Sequence, residues 1–290
     1  MLAAKNSVSV AEFIRLGADR IRCASLECAN PEFHMRQIIA ASLGLNMTEL
    51  YQRWTDDLNR DSETQVEVFL SRRLKGEPFQ YIVGEESFWE NTFAVGPGVL
   101  IPRPETELMV ETLLAQESKG SCLVAELGAG TGNIGISVMK ERPTWTWHAF
   151  EMSGAAMKYL RVNQSRCLPD SLSYFVYEED FFAGINELPQ MDWIVSNPPY
   201  LNASELSQVS KEVQHEPAEA LLGGEDGYEV IEKLAVCARS RLRSGGKLFF
   251  EISEIQGAIV HRMLEECGFC PVIIMKDLRG LDRFVLAVNP

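Results

Sequence analysis

The sequence predicts an α/β fold: a mostly parallel open sheet with an antiparallel last strand, preceded by a small helical bundle and a hairpin linker. Three observations carry that expectation. From about residue 121, short apolar runs alternate with segments of helical periodicity. The first 80 residues show repeated helix starts with no strand-like run between them. Between these regions, Phe88, Phe93, Val95, Val99 and Leu100 are interrupted by Asn91, Gly96-Pro97-Gly98 and Pro102, which marks short strands and turns. The expected boundaries are a helical domain over 1–80, a β-hairpin linker over 81–108, and the α/β domain over 109–290.

Each helix of the bundle has its own start signal. Ser9 and Glu12 have capping-box spacing before Phe13, Ile14, Leu16, Ala18 and Ile21. Asn30-Pro31 places a side-chain cap before a proline at the first helical position. Asn46 with Glu49, and Ser62 with Gln65, open two more. In the linker, two prolines flank Arg103, and Glu105 and Glu107 then open a helix through Met109 and Leu113. Beyond it, strands are expected over 122–127, 146–151, 172–177, 191–196 and 247–252, with helices over 133–141, 154–166 and 227–242. Two last runs, 271–276 and 284–288, are close enough to pair antiparallel.

Composition narrows the function. The net charge of −14 is uneven, with 10 Lys+Arg against 11 Asp+Glu in residues 1–80 and 17 against 30 in the rest. That acidity repels a phosphate backbone, so direct nucleic-acid binding is not expected; it fits either solubility alone or a basic protein partner. No apolar run reaches bilayer length, and residues 1–10 lack a basic stretch followed by an apolar one, so a cytoplasmic protein away from membranes is expected. Seven cysteines show no framework spacing. Cys267 and Cys270 form a lone CxxC, with Cys23 and Cys28 far away, so ordinary buried thiols and no metal are expected.

The chemistry concentrates at strand ends. Glu126 closes a strand and is followed by Leu127-Gly128-Ala129-Gly130-Thr131-Gly132, a turn that lets backbone approach a ligand next to a helix N-terminus. Gly130 to Gly135 also fits the dinucleotide fingerprint. Glu151, about twenty residues on, suits the ribose hydroxyls of NAD or of S-adenosylmethionine equally. Asp180 is placed for an adenine amino group, and Phe181 or Phe182 for packing the base. Asn197-Pro198-Pro199-Tyr200 then separates the two cofactors. An amide nitrogen is a poor nucleophile because its lone pair is delocalised. Asn197 Oδ1 and the Pro198 carbonyl can each accept one N–H, which holds such a nitrogen in line with a methyl donor. Tyr200 is suited to cover the substrate with its ring face. The four histidines are scattered, and no Ser/His/Asp set is visible.

With those residues in view, the chain resembles the PrmC/HemK family of glutamine methyltransferases. The resemblance rests on Gly76-Glu77-Pro78 with Tyr81 and Gly84, on Phe88-Trp89, on Leu100-Ile101-Pro102-Arg103-Pro104-Glu105-Thr106-Glu107, and on Ser196 to Tyr200. It extends to Glu216-Pro217, Ala220-Leu221, Gly223-Gly224, Asp226-Gly227 and Gly245-Gly246, and covers the chain from about residue 70 onward. It implies a Rossmann-like class I methyltransferase sheet and an S-adenosylmethionine-dependent enzyme, with S-adenosylhomocysteine as product. The implied target is the side-chain N5 of the glutamine in the Gly-Gly-Gln motif of class I peptide chain release factors, which the helical domain helps to bind.

The resemblance implies that Gly128, Ala129, Gly130, Thr131, Gly132, Glu151 and Phe181 hold the cofactor, and Glu126 and Asp180, at neighbouring strand ends, are expected to hold it with them. Asn197 touches cofactor and glutamine, Pro198, Pro199 and Tyr200 shape the glutamine pocket, and Arg103 and Glu105 brace the linker. Glu126 and Glu151 stand where the family has Asp, which keeps the carboxylate but lengthens its reach; Ser253 replaces a common glycine and Leu201 replaces isoleucine, and none of these departures removes a chemical group. A monomer is expected. The competing readings are a glutamine methyltransferase acting on a ribosomal protein, an adenine-N6 DNA methyltransferase, an NAD oxidoreductase, and a cofactor-binding module without turnover.

Overall fold

The structure, a computed structural model, describes residues 8–24, 30–116 and 120–290. Cys28 lies outside them. The chain divides into two compact units, one running to Gly84 and including Val209–His215, the other formed by Glu85–Gln208 and Glu216–Pro290.

Among its described residues the first unit holds five α-helices: α1 (Val10–Cys23), α2 (Pro31–Leu43), α3 (Met47–Gln52), α4 (Arg60–Leu74) and α5 (Phe79–Val83). Their starts follow side-chain chemistry. Ser9 Oγ accepts from Glu12 N at 3.3 Å, Asn30 Oδ1 accepts from Phe33 N at 3.0 Å, and Asn46 and Glu49 form a reciprocal capping box. The start expected at Ser62 lies one turn earlier: Asn59 Oδ1 accepts from Ser62 N at 2.9 Å, so the asparagine takes the cap and Ser62 falls inside the first turn. Ile14, Ile21, Met35, Ile38, Ile39, Val66 and Leu70 form the core. Arg73 is fully buried among them. Its guanidinium pairs with Glu212 and donates to His34 Nε2 at 3.2 Å and to the Glu77 carbonyl at 3.3 Å. Segment 209–215 therefore joins this unit although it is remote in sequence.

The second unit opens on a hairpin of β1 (Glu85–Phe88) and β2 (Asn91–Ala94) with the two-residue turn Trp89-Glu90. After a 3-10 turn over Pro104–Thr106 come α6 (Glu107–Gln116), β3 (Leu123–Leu127), α7 (Asn133–Glu141), β4 (Thr146–Phe150), α8 (Gly154–Cys167) and β5 (Tyr174–Tyr177). Then follow α9 (Phe181–Gly184), β6 (Met191–Ser196), α10 (Ala203–Gln208), α11 (Glu229–Arg241), β7 (Leu242–Glu251), α12 (Gly257–Glu266), β8 (Val272–Lys276) and β9 (Asp282–Val288). The sheet order is β5-β4-β3-β6-β7-β9-β8. β9 runs antiparallel to both its neighbours, and the remaining pairings are parallel.

Because strand side chains alternate between faces, each strand feeds two cores. Val124, Trp147, Trp193, Val195 and Phe249 pack with α6, α7 and α8. Ala125, Phe150, Ile194, Leu248 and Phe250 pack with α11 and α12 on the other face. That double burial explains why the central strands read as continuous apolar runs. The strand expected over 247–252 begins five residues earlier, at Leu242, because Met191 pairs with it across a register shift. Cys23 and Cys270 are exposed rather than buried, and no described cluster of His, Cys, Asp or Glu has a metal-binding arrangement. Among the described residues, no helix is long and apolar enough to cross a membrane.

Candidate active site

Strand order reverses between β3 and β6, and loops leaving the C-terminal ends of two such strands diverge and open a crevice. A cavity of about 540 Å³ occupies that position. Its floor is the glycine turn: Gly128, Ala129, Gly130 and Thr131 all line it, with Glu126 beneath. Glu151, Asp180 and Phe181 line it from the ends of the neighbouring strands, and Asn197, Pro198, Pro199 and Arg103 complete it. Twelve of the residues expected from sequence are thus brought to one cavity.

Three expected residues are absent from the lining. Gly132 caps α7 from below, where a Cβ would meet Leu160 Cδ1 at 2.5 Å. Glu105 lines a separate recess with Trp89, Glu107 and Asp277. Tyr200 turns its hydroxyl to Glu251 Oε1 at 3.2 Å, and its ring packs against the second core. A buried carboxylate needs donors, and Tyr200 supplies one.

The turn is held by charge as well as by shape. Gly130 sits at φ +57°, a left-handed conformation that favours glycine. Its N–H donates to Glu151 Oε2 at 2.9 Å, while Glu151 Oε1 accepts from Ser153 N at 2.8 Å. Burial raises the Glu151 pKa, and these backbone donors oppose the rise. Each carboxylate oxygen keeps a lone pair for a further donor, so Glu151 can serve the turn and a ligand hydroxyl together. Asp180 caps α9 by accepting from Phe182 N at 2.9 Å, which aims Phe181 edge-on at Phe150, with ring centroids 5.3 Å apart. An acid for hydroxyls, an aromatic wall and a glycine floor fit a nucleoside-bearing ligand.

Glu126 is the most perturbed carboxylate in the cavity. Burial pushes its pKa to about 8 and the charge of Glu151 adds to the rise, against donation from Trp147 Nε1 at 2.7 Å and from the Gly135 backbone. A raised acid stabilises the fold most when protonated. This contribution is therefore full below the ordinary glutamate range and is lost as pH rises to about 8. In urea unfolding of the ligand-free protein, stability should fall between those limits by up to about 1.4 kcal/mol per pH unit from this group. Glu126→Gln should remove that part of the slope, and identical slopes in the two proteins would refute it.

Other residues at the site were given no structural role from sequence. Glu216 Oε2 accepts from Ile101 N at 3.0 Å and Oε1 pairs with Arg103, so the linker is clamped beside the cavity. Asn163 holds the Ala94 backbone at both ends (2.7 and 3.1 Å) and the Thr131 carbonyl at 2.9 Å, tying hairpin, α8 and glycine turn together. Gly223 lets the following loop press on the tetrapeptide, since a Cβ there would meet the Pro199 carbonyl oxygen at 2.5 Å. Gly223 N also donates to the Leu201 carbonyl at 2.8 Å. The glycine run at 223–227 was legible as a motif; its partner was not.

Sheet order and the site at its switch point define the class: a Rossmann-like methyltransferase. Solved structures agree on the fold. The chain is similar to a methyltransferase from Pyrococcus furiosus (TM-score 0.50, 18% identity, 78% of this chain and 98% of that one). It is also similar to the hMettl16 catalytic domain in complex with the MAT2A 3′UTR hairpin 6 (TM-score 0.55, 15% identity, 68% and 75%). In sequence, residues 13–84 match the PrmC N-terminal domain and residues 104–225 the methyltransferase small domain. Relatives include the release factor glutamine methyltransferase of Coxiella burnetii, 33% identical over 89% of this chain and 91% of that protein. That of Mycolicibacterium smegmatis is 34% identical over 92% and 93%. The chain belongs to the release factor glutamine methyltransferase family.

Proposed function

We infer that this protein transfers a methyl group from S-adenosylmethionine to the side-chain N5 of the glutamine in the Gly-Gly-Gln motif of class I peptide chain release factors, breaking the methyl–sulfur bond and leaving S-adenosylhomocysteine and one proton released from N5. The observation that carries this reading is that Asn197 and Pro198, at the end of β6, share one cavity with the glycine turn at the end of β3. Family membership supports the choice of a protein glutamine. When bound, the cofactor supplies an electrophilic methyl on a sulfonium sulfur. Glu151 accepts from its ribose hydroxyls, Phe181 packs its base, and Asp180 receives its amino hydrogen. Asn197 Oδ1 and the Pro198 carbonyl accept the two amide hydrogens of the substrate, which orients the nitrogen and favours the positive charge that develops on it. The phenol of Tyr200 is held neutral, because burial and Glu251 raise its pKa, so it acts by shape rather than as a base. The helical unit contributes to holding the release factor, and the reaction takes place in the cytoplasm, where translation ends.

The test is transfer from labelled S-adenosylmethionine to a purified release factor, run beside the variant carrying Gln→Ala in its Gly-Gly-Gln motif, a ribosomal-protein substrate and DNA. Label on the unmodified release factor alone is the expected result. Equal labelling of the factor and its variant, or label only on DNA or the ribosomal protein, would overturn the reading.

A further inference from the structure

We propose that Thr106 and Glu251 are positioning residues that fix the Asn197 side-chain amide so that its oxygen, not its nitrogen, is left for the substrate; the assignment rests on the function inferred above. Glu251 ends β7 and is buried, with 2% of its surface exposed. Its Oε2 accepts from the Thr106 hydroxyl at 2.7 Å, and its Oε1 accepts from Tyr200. A hydroxyl has one proton, and in Thr106 that proton is spent on the carboxylate. Thr106 Oγ1 can then only accept, and Asn197 Nδ2 lies 3.4 Å from it as the donor. Because the amide is planar, engaging Nδ2 here leaves Oδ1 as the end that faces a ligand.

Proton counting makes this arrangement directional. A carboxylate at 251 draws the Thr106 proton away from Asn197, whereas a group able to donate at 251 releases that proton toward Asn197. The amide can then turn over and present Nδ2, which cannot accept an N–H from the substrate. Thr106 itself is buried in the turn that follows Arg103 and lines the cavity, so the relay is short and enclosed. Burial raises the Glu251 pKa and Glu105 adds to the rise, while the hydrogen bonds from Thr106 and Tyr200 and the charge of Arg283 oppose it and favour the carboxylate.

Three variants separate this role from simple packing. Thr106→Val keeps the shape without the hydroxyl, Thr106→Ser keeps the hydroxyl, and Glu251→Gln replaces an acceptor with a donor. With the release factor as substrate, Thr106→Val and Glu251→Gln should each lower kcat about tenfold, with the dissociation constant of S-adenosylmethionine unchanged. Thr106→Ser should retain the wild-type kcat. The second readout needs no substrate: the side-chain ¹⁵N–¹H₂ signal of Asn197, identified by its loss in Asn197→Ala, should shift and exchange faster with water in Thr106→Val but not in Thr106→Ser. Wild-type kcat in Thr106→Val, or equal losses in the valine and serine variants, would overturn the proposal. If the wild-type protein fails to methylate the release factor, the functional reading falls instead. The amide signal then decides the positioning role alone, and an unmoved signal in Thr106→Val refutes it.

Discussion

Asn197→Ala should lower kcat by about 10²–10³-fold, the range seen when one preorganised hydrogen-bonding group is removed from a reacting centre. The size of the effect follows from the substrate. An amide nitrogen shares its lone pair with the carbonyl, so the enzyme must both align that nitrogen and favour charge developing on it. Two acceptors do this together, and the Pro198 carbonyl alone leaves the nitrogen free to rotate out of line with the methyl donor. Asn197 lines the same cavity as the glycine turn, yet its resolved hydrogen bond goes to Thr106. Cofactor affinity should therefore change far less than turnover. Single-turnover transfer and calorimetric cofactor binding measure the two separately, and an unchanged kcat would remove Asn197 from the reaction.

Glu151→Ala should act in the opposite way, raising the dissociation constant of S-adenosylmethionine about 10- to 100-fold, the worth of charge-assisted hydrogen bonds to a buried carboxylate. Two losses combine. The ribose hydroxyls lose their acceptor, and the N–H groups of Gly130 and Ser153 lose theirs, so the turn loosens as well. Glu151→Asp should recover most of the affinity, because one methylene changes reach and not charge. Calorimetry with the cofactor alone tests both. Equal affinity in wild type and Glu151→Ala would show that the ribose sits elsewhere.

The strand ends were the most legible part of the sequence. Val124 to Glu126 and Trp193 to Val195 read as buried strands because both faces of a central parallel strand are covered. The residues just beyond them had to be glycine or Asn-Pro for chemical reasons visible in the residues themselves. Helix starts were legible wherever a cap was local, as at Asn30 and Asn46, and misplaced at Ser62, where two suitable caps compete within one turn.

What escaped the sequence were partnerships between residues far apart in it. Thr106 and Glu251 are separated by 145 positions, and Asn163 and Ala94 by 69. Arg73 carries no local signal in the sequence; burial beside His34 and Glu212 makes it part of a core. The sequence suits the Tyr200 ring to cover a substrate, and only the fold shows its hydroxyl donating to Glu251.

By itself, then, the sequence determined the class of fold, the family, the cavity floor and the tetrapeptide proposed to meet the nitrogen, because periodicity and short motifs are local properties of a chain. Only the tertiary structure carries the proposed choice of which end of the Asn197 amide is left for the substrate. That choice depends on a proton held between a threonine and a buried glutamate, and the folded sheet alone brings those two together.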